Sequence, residues 1–276
     1  MKILKIISFL CLFTTGVKSQ RLIEVQRTKT DYAYGVYLPE NYDSTLPYPT
    51  LVFLHGVGEK GSLIPLHSAL LTHGPIAEIY RGLKLSKFII IEPQYYNGMW
   101  NANSIKSVVV AVGKTYPLDS NRFYVTGLSM GGGGTINFTD SFFSSIAADF
   151  AASPAGGFRT TKAPQYLASK DRGFGVYICT NDAVVGTGNA FNSVYAIWQN
   201  NGWKKVNAQT LKPSGIATAF LDRRTKLLKW VPGQVYPDST VYQQFLVSYD
   251  NGGHGGWQRI FADYKFYDWL LTQKRN

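Results

Sequence analysis

Short apolar runs rich in β-branched and aromatic residues recur along the chain, and the stretches between them carry apolar positions at helical spacing. "AYGVYLP" and "PTLVFLHG" open the series, and "KFIIIEPQ", "RFYVTGLS", "IAADFAAS", "FGVYICT" and "VYQQFLVSY" continue it. Each has the length and composition of a strand. Part of "LIPLHSALLTHG", then "SIKSVVVAVGKTYP", the run after Ser129, "NAFNSVYAIWQNN" and the closing "WQRIFADYKFYDWLLTQ" read as the helices between them.

Strands that are apolar throughout, not at every second position, are buried on both faces. With helices alternating between them, they predict an α/β domain built on a mostly parallel central sheet covered on both sides. The two opening strands, joined by a short link, are expected to form an antiparallel edge. One segment breaks the rhythm: 202–239 carries Pro213, Gly215, Pro232, Gly233 and Pro237 and is long for a connection. It reads as an added hairpin, a flap or a basic surface loop, an irregular insertion within one domain over 20–276, because no linker, repeat or composition shift divides the rest.

Composition agrees with a folded core: of 276 residues 45% are hydrophobic and 14% aromatic, which excludes disorder as the main state. The first residues change the picture. "MKILKIISFLCLFTTGVKSQ" places Lys2 and Lys5 before an apolar run from Ile6 to Phe13, with the small residues of a cleavage site at Val17 and Ser19. This is the pattern of a cleavable secretory signal, 1–19, and it predicts a secreted or periplasmic protein. The apolar run is about half of what a spanning helix needs, so no stable membrane anchor is expected. A lipid attached at Cys11 is disfavoured by Leu10, which stands where a small residue belongs. Cleavage leaves Cys179 alone, so no internal disulfide can form, and its place in "FGVYICT" makes it a buried inert thiol.

The formal net charge is +11, of which Lys2, Lys5 and Lys18 belong to the leader. Lys204, Lys205, Arg223, Arg224, Lys226 and Lys229 concentrate part of the excess in the irregular segment. We read them as a solvated basic face, with an acidic polymer or an anionic surface as the alternative. No nucleic-acid-binding motif accompanies them, and none is expected as a partner.

The chemistry centres on "VTGLSMGGGG", Val125 to Gly134. Gly127, Ser129 and Gly131 match G-x-S-x-G, in which a serine sits on a sharp turn between strand and helix and small neighbours let backbone pass close by. "RFYVT" supplies the strand and "MGGGGTINFTDSFF" the helix, whose glycine-rich start suits tight packing and amides facing an anion. A phosphate loop would need Lys-Ser/Thr after the glycines, and neither this run nor "GVGEKGS" has it.

Serine is a weak nucleophile and needs a base within hydrogen-bond reach. Of His55, His67, His73 and His254, only His254 lies downstream of Ser129, in the glycine loop "SYDNGGHGGW" after the last strand. The others read as structural or surface residues. Asp182 in "YICTNDAVV" follows the next-to-last strand and is the preferred acid over Asp222 and Asp250. An acyl-transfer oxyanion needs two amide donors. The N–H of Met130 would be one, and the loop after "TLVFLHG" offers that of Val57, with Gly58 next. No metal-ligand or cofactor motif is present, so no cofactor is expected.

"LVFLHGVGEKG", "NRFYVTGLSMGGGGT", "ICTNDAVV" and "GGHGGWQRIFADYKFYDWLL", taken in this order, resemble the secreted serine esterases of the α/β-hydrolase superfamily, in particular the feruloyl and acetylxylan esterase type and the related polyhydroxybutyrate depolymerase-like proteins and predicted peptidases. The resemblance spans roughly Tyr32 to Leu271. It implies an α/β-hydrolase fold with Ser129 as nucleophile, Asp182 as acid and His254 as base, and His55-Gly56 as the strand end at the oxyanion site. The 202–239 segment departs from compact members of this type.

An ester of a plant polysaccharide, feruloyl or acetyl, is the first expectation for a substrate. A peptide or short-chain ester is the rival within the superfamily, and a catalytically silent binding fold the rival from another class. Tyr95, Tyr96 and Trp100 follow a strand end, and Trp257 follows His254. Tyr96, Trp100 and Trp257 are the candidates for stacking on a sugar or phenolic group, with ordinary packing the equal alternative for Trp257. Nothing in the sequence fixes an oligomeric state.

Overall fold

The computed structural model describes residues 21–26, 32–170, 172–188, 216–222, 227–232 and 244–275, the segments 216–222 and 227–232 by backbone alone. The expected leader, the expected helix at 189–201 and the remainder of 202–239 lie outside these residues.

Ten strands among the described residues form one sheet. They are β1 (Arg21–Val25), β2 (Ala33–Leu38), β3 (Tyr48–Leu54), β4 (Ile89–Gln94), β5 (Leu118–Leu128), β6 (Ala148–Ala152), β7 (Gly173–Cys179), β8 (Ile216–Asp222), β9 (Leu227–Pro232) and β10 (Gln244–Tyr249), in the order β1-β2-β4-β3-β5-β6-β7-β10-β8-β9. From β4 to β10 every neighbouring pair is parallel, while β1 and β2 at one side and β8 and β9 at the other are antiparallel additions.

Two expectations change here. The opening strands β2 and β3 do not pair, because β4 lies between them and β2 runs antiparallel to β4. The antiparallel edge is made instead by β1, whose short "RLIEV" carries too little pattern to stand out and becomes a strand by pairing with β2. The insertion resolves in part: its described residues form the β8–β9 hairpin, which extends the sheet beside β10.

Helices cover both faces: α1 (Leu66–Leu70), α2 (Pro75–Tyr80), α3 (Ala102–Gly113), α4 (Met130–Phe142), α5 (Lys162–Lys170), α6 (Gln258–Phe261) and α7 (Tyr264–Thr272). Successive strand residues point to opposite faces, and each strand therefore feeds two cores. Val52, Ile91, Val125 and Val176 pack with Ile105 and Val108 of α3 and Phe138 of α4. Leu51, Ile90, Tyr124 and Tyr177 pack with Ile76 of α2 and Phe266 and Trp269 of α7. The closing apolar run breaks into α6 and α7 because Asp263 caps α7, accepting the Lys265 N–H at 3.0 Å.

Candidate active site

Ser129 stands between the end of β5 and the first residue of α4, with φ +52° and ψ −118°. A non-glycine residue rarely adopts that backbone, and holding it there costs on the order of 1–3 kcal/mol. Three backbone hydrogen bonds enforce it: the Ser129 N–H donates to Ala152 O at 2.9 Å, and its carbonyl accepts from Gly133 N–H at 3.0 Å and Ala155 N–H at 2.9 Å.

The flanking glycines answer to the same geometry. A Cβ on Gly131 would lie 1.8 Å from Leu54 O, and one on Gly127 would lie 2.5 Å from Gly131 O. Neither site accepts a side chain, so the motif is a packing requirement of strand against helix. The later glycines continue the close approach, with positions 2.8 Å from Ala152 O at Gly132 and 2.6 Å from Ala155 O at Gly133.

Asp182 and His254 are brought together through strand register. β7 and β10 are parallel neighbours whose last residues, Cys179 and Tyr249, are paired, so the loops that follow leave the sheet at the same rim. His254, in the single 3₁₀ turn Gly253–Gly255, then spans the two partners: its Nδ1 is 2.8 Å from Asp182 Oδ2 and its Nε2 is 2.8 Å from Ser129 Oγ. In the neutral ring with its proton on Nδ1, Nδ1–H donates to the carboxylate and Nε2 accepts the serine O–H. Asp182 Oδ1 accepts the N–H groups of Val184 at 2.9 Å and Val185 at 3.1 Å. Burial by itself would raise the Asp182 carboxyl, but the hydrogen bonds from His254, Val185 and Val184 outweigh it and hold the group below the ordinary carboxylate value.

Gly56 runs directly past the serine, a Cβ on it falling 3.7 Å from Ser129 Cβ. Val57 opens the 3₁₀ turn Val57–Glu59 and Met130 opens α4. Amides at such starts have no acceptor within their own turn.

The other histidines take structural places. His55 is buried, its Nδ1 lies 2.7 Å from Gly56 O, and its ring stacks on Tyr95 at 5.0 Å. Burial pushes it down to about 4, so it is neutral at ordinary pH. His67 pairs with Glu24 at the surface, and His73 lies 3.6 Å from Glu59. Cys179 is buried as expected, and burial raises its thiol. Among the described residues no three His, Cys, Asp or Glu side chains converge as a metal-ligand set, and no helix is long and apolar enough to cross a membrane.

The aromatic candidates divide. Tyr96 is 38% exposed, but Trp100 and Trp257 are only 5% and 8% exposed. Trp100 donates its Nε1–H to His55 O at 3.1 Å and packs against Tyr32, His55 and Tyr95, so its ring is part of the core and offers no open stacking face. Trp257 meets His254 edge-on with ring centroids 4.9 Å apart and buttresses the imidazole.

Sequence reasoning passed over Asn181, whose side-chain oxygen accepts the N–H groups of Gly252 at 3.2 Å and Gly253 at 2.9 Å and so ties the histidine loop to the aspartate loop. Its place next to Asp182 was the available signal.

No family model matches the chain, and no curated protein matches it in sequence. Solved structures do match in fold. A thermostable esterase aligns with TM-score 0.62 and 18% identity over 94% of this chain and 64% of its own, so the chain spans just under two thirds of that protein's length. An acetyl xylan esterase from Aspergillus awamori aligns with TM-score 0.57 and 17% identity over 91% of this chain and 99% of its own. The feruloyl esterase module from Clostridium thermocellum, complexed with sinapinate, aligns with TM-score 0.57 and 15% identity over 92% and 88%. Strand order, the serine turn and these likenesses together give the chain the α/β-hydrolase fold.

Proposed function

We propose that this chain is a secreted serine esterase that hydrolyses carboxylic esters by way of an acyl-enzyme, with Ser129 as nucleophile, His254 as base and Asp182 as the acid that orients it. The observation that carries the reading is the unbroken contact from Asp182 Oδ2 through the His254 ring to Ser129 Oγ, with 2.8 Å at each step. Ser129 Oγ attacks the ester carbonyl carbon as its proton passes to His254 Nε2, and Asp182 stabilises the imidazolium. The N–H groups of Met130 and Val57 receive the negative charge that develops on the carbonyl oxygen. Collapse expels the alcohol, which takes the proton from Nε2. Water, deprotonated by the same nitrogen, then releases the acid and restores Ser129.

The substrate we favour is a feruloyl ester of a polysaccharide over an acetyl one. Two of the structural neighbours are described as an acetyl xylan esterase and a feruloyl esterase. Large exposed apolar side chains stand on the loops that follow β3, β4 and β7 at the serine's rim: Val57, Tyr96, Met99 and Val184. An aromatic acyl group would bury that surface, and an acetyl group would not. The export reading rests on the leader sequence.

Three measurements test the proposal. A fluorophosphonate should label the wild-type protein at Ser129 and fail on Ser129→Ala. The same variant should lose hydrolysis of aryl esters, and retained turnover there ends the reading. A panel of feruloyl, acetyl and short-chain aryl esters plus a peptide should place feruloyl esters first, and cleavage of the peptide alone would overturn the substrate class.

A further inference from the structure

Glu59 is a carboxylate that the reaction above leaves without a task, and it occupies an expensive place. It closes the 3₁₀ turn Val57–Glu59 and is only 4% exposed. A carboxylate removed from water is costly unless other groups hold it. One of its oxygens lies against Gly56, 3.3 Å from where a Cβ on that glycine would sit. Burial pushes its carboxyl above the ordinary value, and the backbone N–H groups of Glu59 and Gly56 draw it partway back. On its far side Oε1 is 3.6 Å from His73 Nε2. The Gln94 amide at the end of β4 donates to Glu59 O at 2.9 Å and to Ile64 O at 3.0 Å, tying both ends of the following loop to the sheet.

The network has one functional feature beside it. The backbone amides it grips, those of Gly56 and Glu59, lie on either side of Val57, in the stretch that passes Ser129 and carries one of the two amides assigned to the oxyanion. We propose that Glu59 is a positioning residue for the oxyanion turn, its side-chain oxygen fixing the Gly56–Val57 backbone so that the Val57 N–H meets the anion forming on the substrate. This rests on the serine-esterase reading. The oxygen acts as an acceptor at a fixed reach and not through its charge, since a bare anion beside a forming oxyanion would oppose it. The groups around it are His73, which burial and the Arg81 charge hold toward the neutral form, and Glu92 and Tyr95, whose ionisation the Glu59 charge opposes, so none of them acts as a counter-ion to it.

The test separates reach from charge. Wild-type protein and three variants are compared in kcat and KM on an aryl ester, with active sites counted by fluorophosphonate titration so that misfolded protein drops out. Glu59→Ala removes the acceptor and should lower kcat by about tenfold to a hundredfold with KM little changed, within the ceiling of about a hundredfold to a thousandfold for losing a donor outright. Glu59→Asp keeps the charge but shortens the reach by one methylene, and it should fall similarly. Glu59→Gln keeps the reach and an acceptor oxygen and should retain most of the wild-type kcat. Equal kcat in all four proteins overturns the proposal, as does a Glu59→Gln variant as slow as Glu59→Asp. A wild-type protein that neither reacts with the fluorophosphonate nor hydrolyses any ester removes the underlying reading, a result distinct from either of these.

Discussion

Replacing Asp182 by asparagine exchanges an oxygen for an amide nitrogen and adds almost no volume, yet it should reverse the hydrogen bonding of the whole site. Asp182 Oδ1 accepts the Val184 and Val185 N–H groups, and only the oxygen of an asparagine can take that place. Its NH2 must then face His254 Nδ1, 2.8 Å away in the native protein. A donor there forces Nδ1 to accept, and the ring proton moves to Nε2. That nitrogen, 2.8 Å from Ser129 Oγ, would donate to the serine where the native ring accepts from it. The base is lost with the scaffold intact. The equivalent change in a serine protease costs about 10⁴ in kcat, which is roughly 5 kcal/mol of transition-state stabilisation. The assay is kcat for an aryl ester on titrated enzyme, with circular dichroism to verify the fold. A variant within about tenfold of wild type would refute the tautomer argument. The same substitution alters the pH response. Because the native carboxyl is held below its unfolded value, its stabilising contribution is present above about pH 4 and is lost as pH falls through the folded value. Asp182→Asn should therefore lose stability at neutral pH and show a shallower decline of Tm on acidification.

Gly131→Ala places a methyl 1.8 Å from Leu54 O, backbone that cannot withdraw, so the variant should yield little folded protein by near-ultraviolet circular dichroism, and a native-like spectrum would show that the elbow can open. Asn181→Ala removes the acceptor of two loop amides, at about 1 kcal/mol each; kcat should fall about tenfold while the fluorophosphonate still reacts, and an unchanged kcat would make the tie dispensable. Asp149 is fully buried on β6, and desolvation raises its carboxyl to about 8 despite the hydrogen bond to Thr139. Thr139 has one hydroxyl proton and lies 3.0 Å from Thr135 O and 2.6 Å from Asp149 Oδ2. A protonated Asp149 satisfies both contacts by donating to Thr139, which donates onward. The unfolded chain releases that proton near pH 4 and the folded protein near pH 8, so stability should fall as pH rises across this window. Asp149→Asn should flatten that slope in a Tm series, and an identical slope would assign it elsewhere.

The central sheet was legible because strands buried on both faces carry continuous apolar runs, a signal that needs no knowledge of neighbours. The edges were not. β1 is five residues with two charged positions among them, and β8 and β9 lie in a segment whose prolines and charges left hairpin, flap and loop equally open, since an edge strand is defined by the partner it joins and not by its own pattern. Ser129 stood out for a related reason: Gly127 and Gly131 are required by local close approach, so the turn leaves a mark in the sequence. Asn181 was marked only by its neighbour Asp182 and Glu59 not at all, because a side chain that accepts from backbone amides imposes no residue type on its partners and so leaves no paired pattern.

Taken alone, the order of residues determined the alternation of strands and helices, the serine elbow and the single downstream histidine, all consequences of chain-local sterics and of burial repeated along the backbone. The tertiary structure decided which carboxylate meets His254, that Trp100 is core and not platform, and that a glutamate lies buried under the turn beside the serine. Residues 125 apart in sequence come within 2.8 Å only because parallel strands in register deliver their loops to one rim, and that register belongs to the packed sheet as a whole.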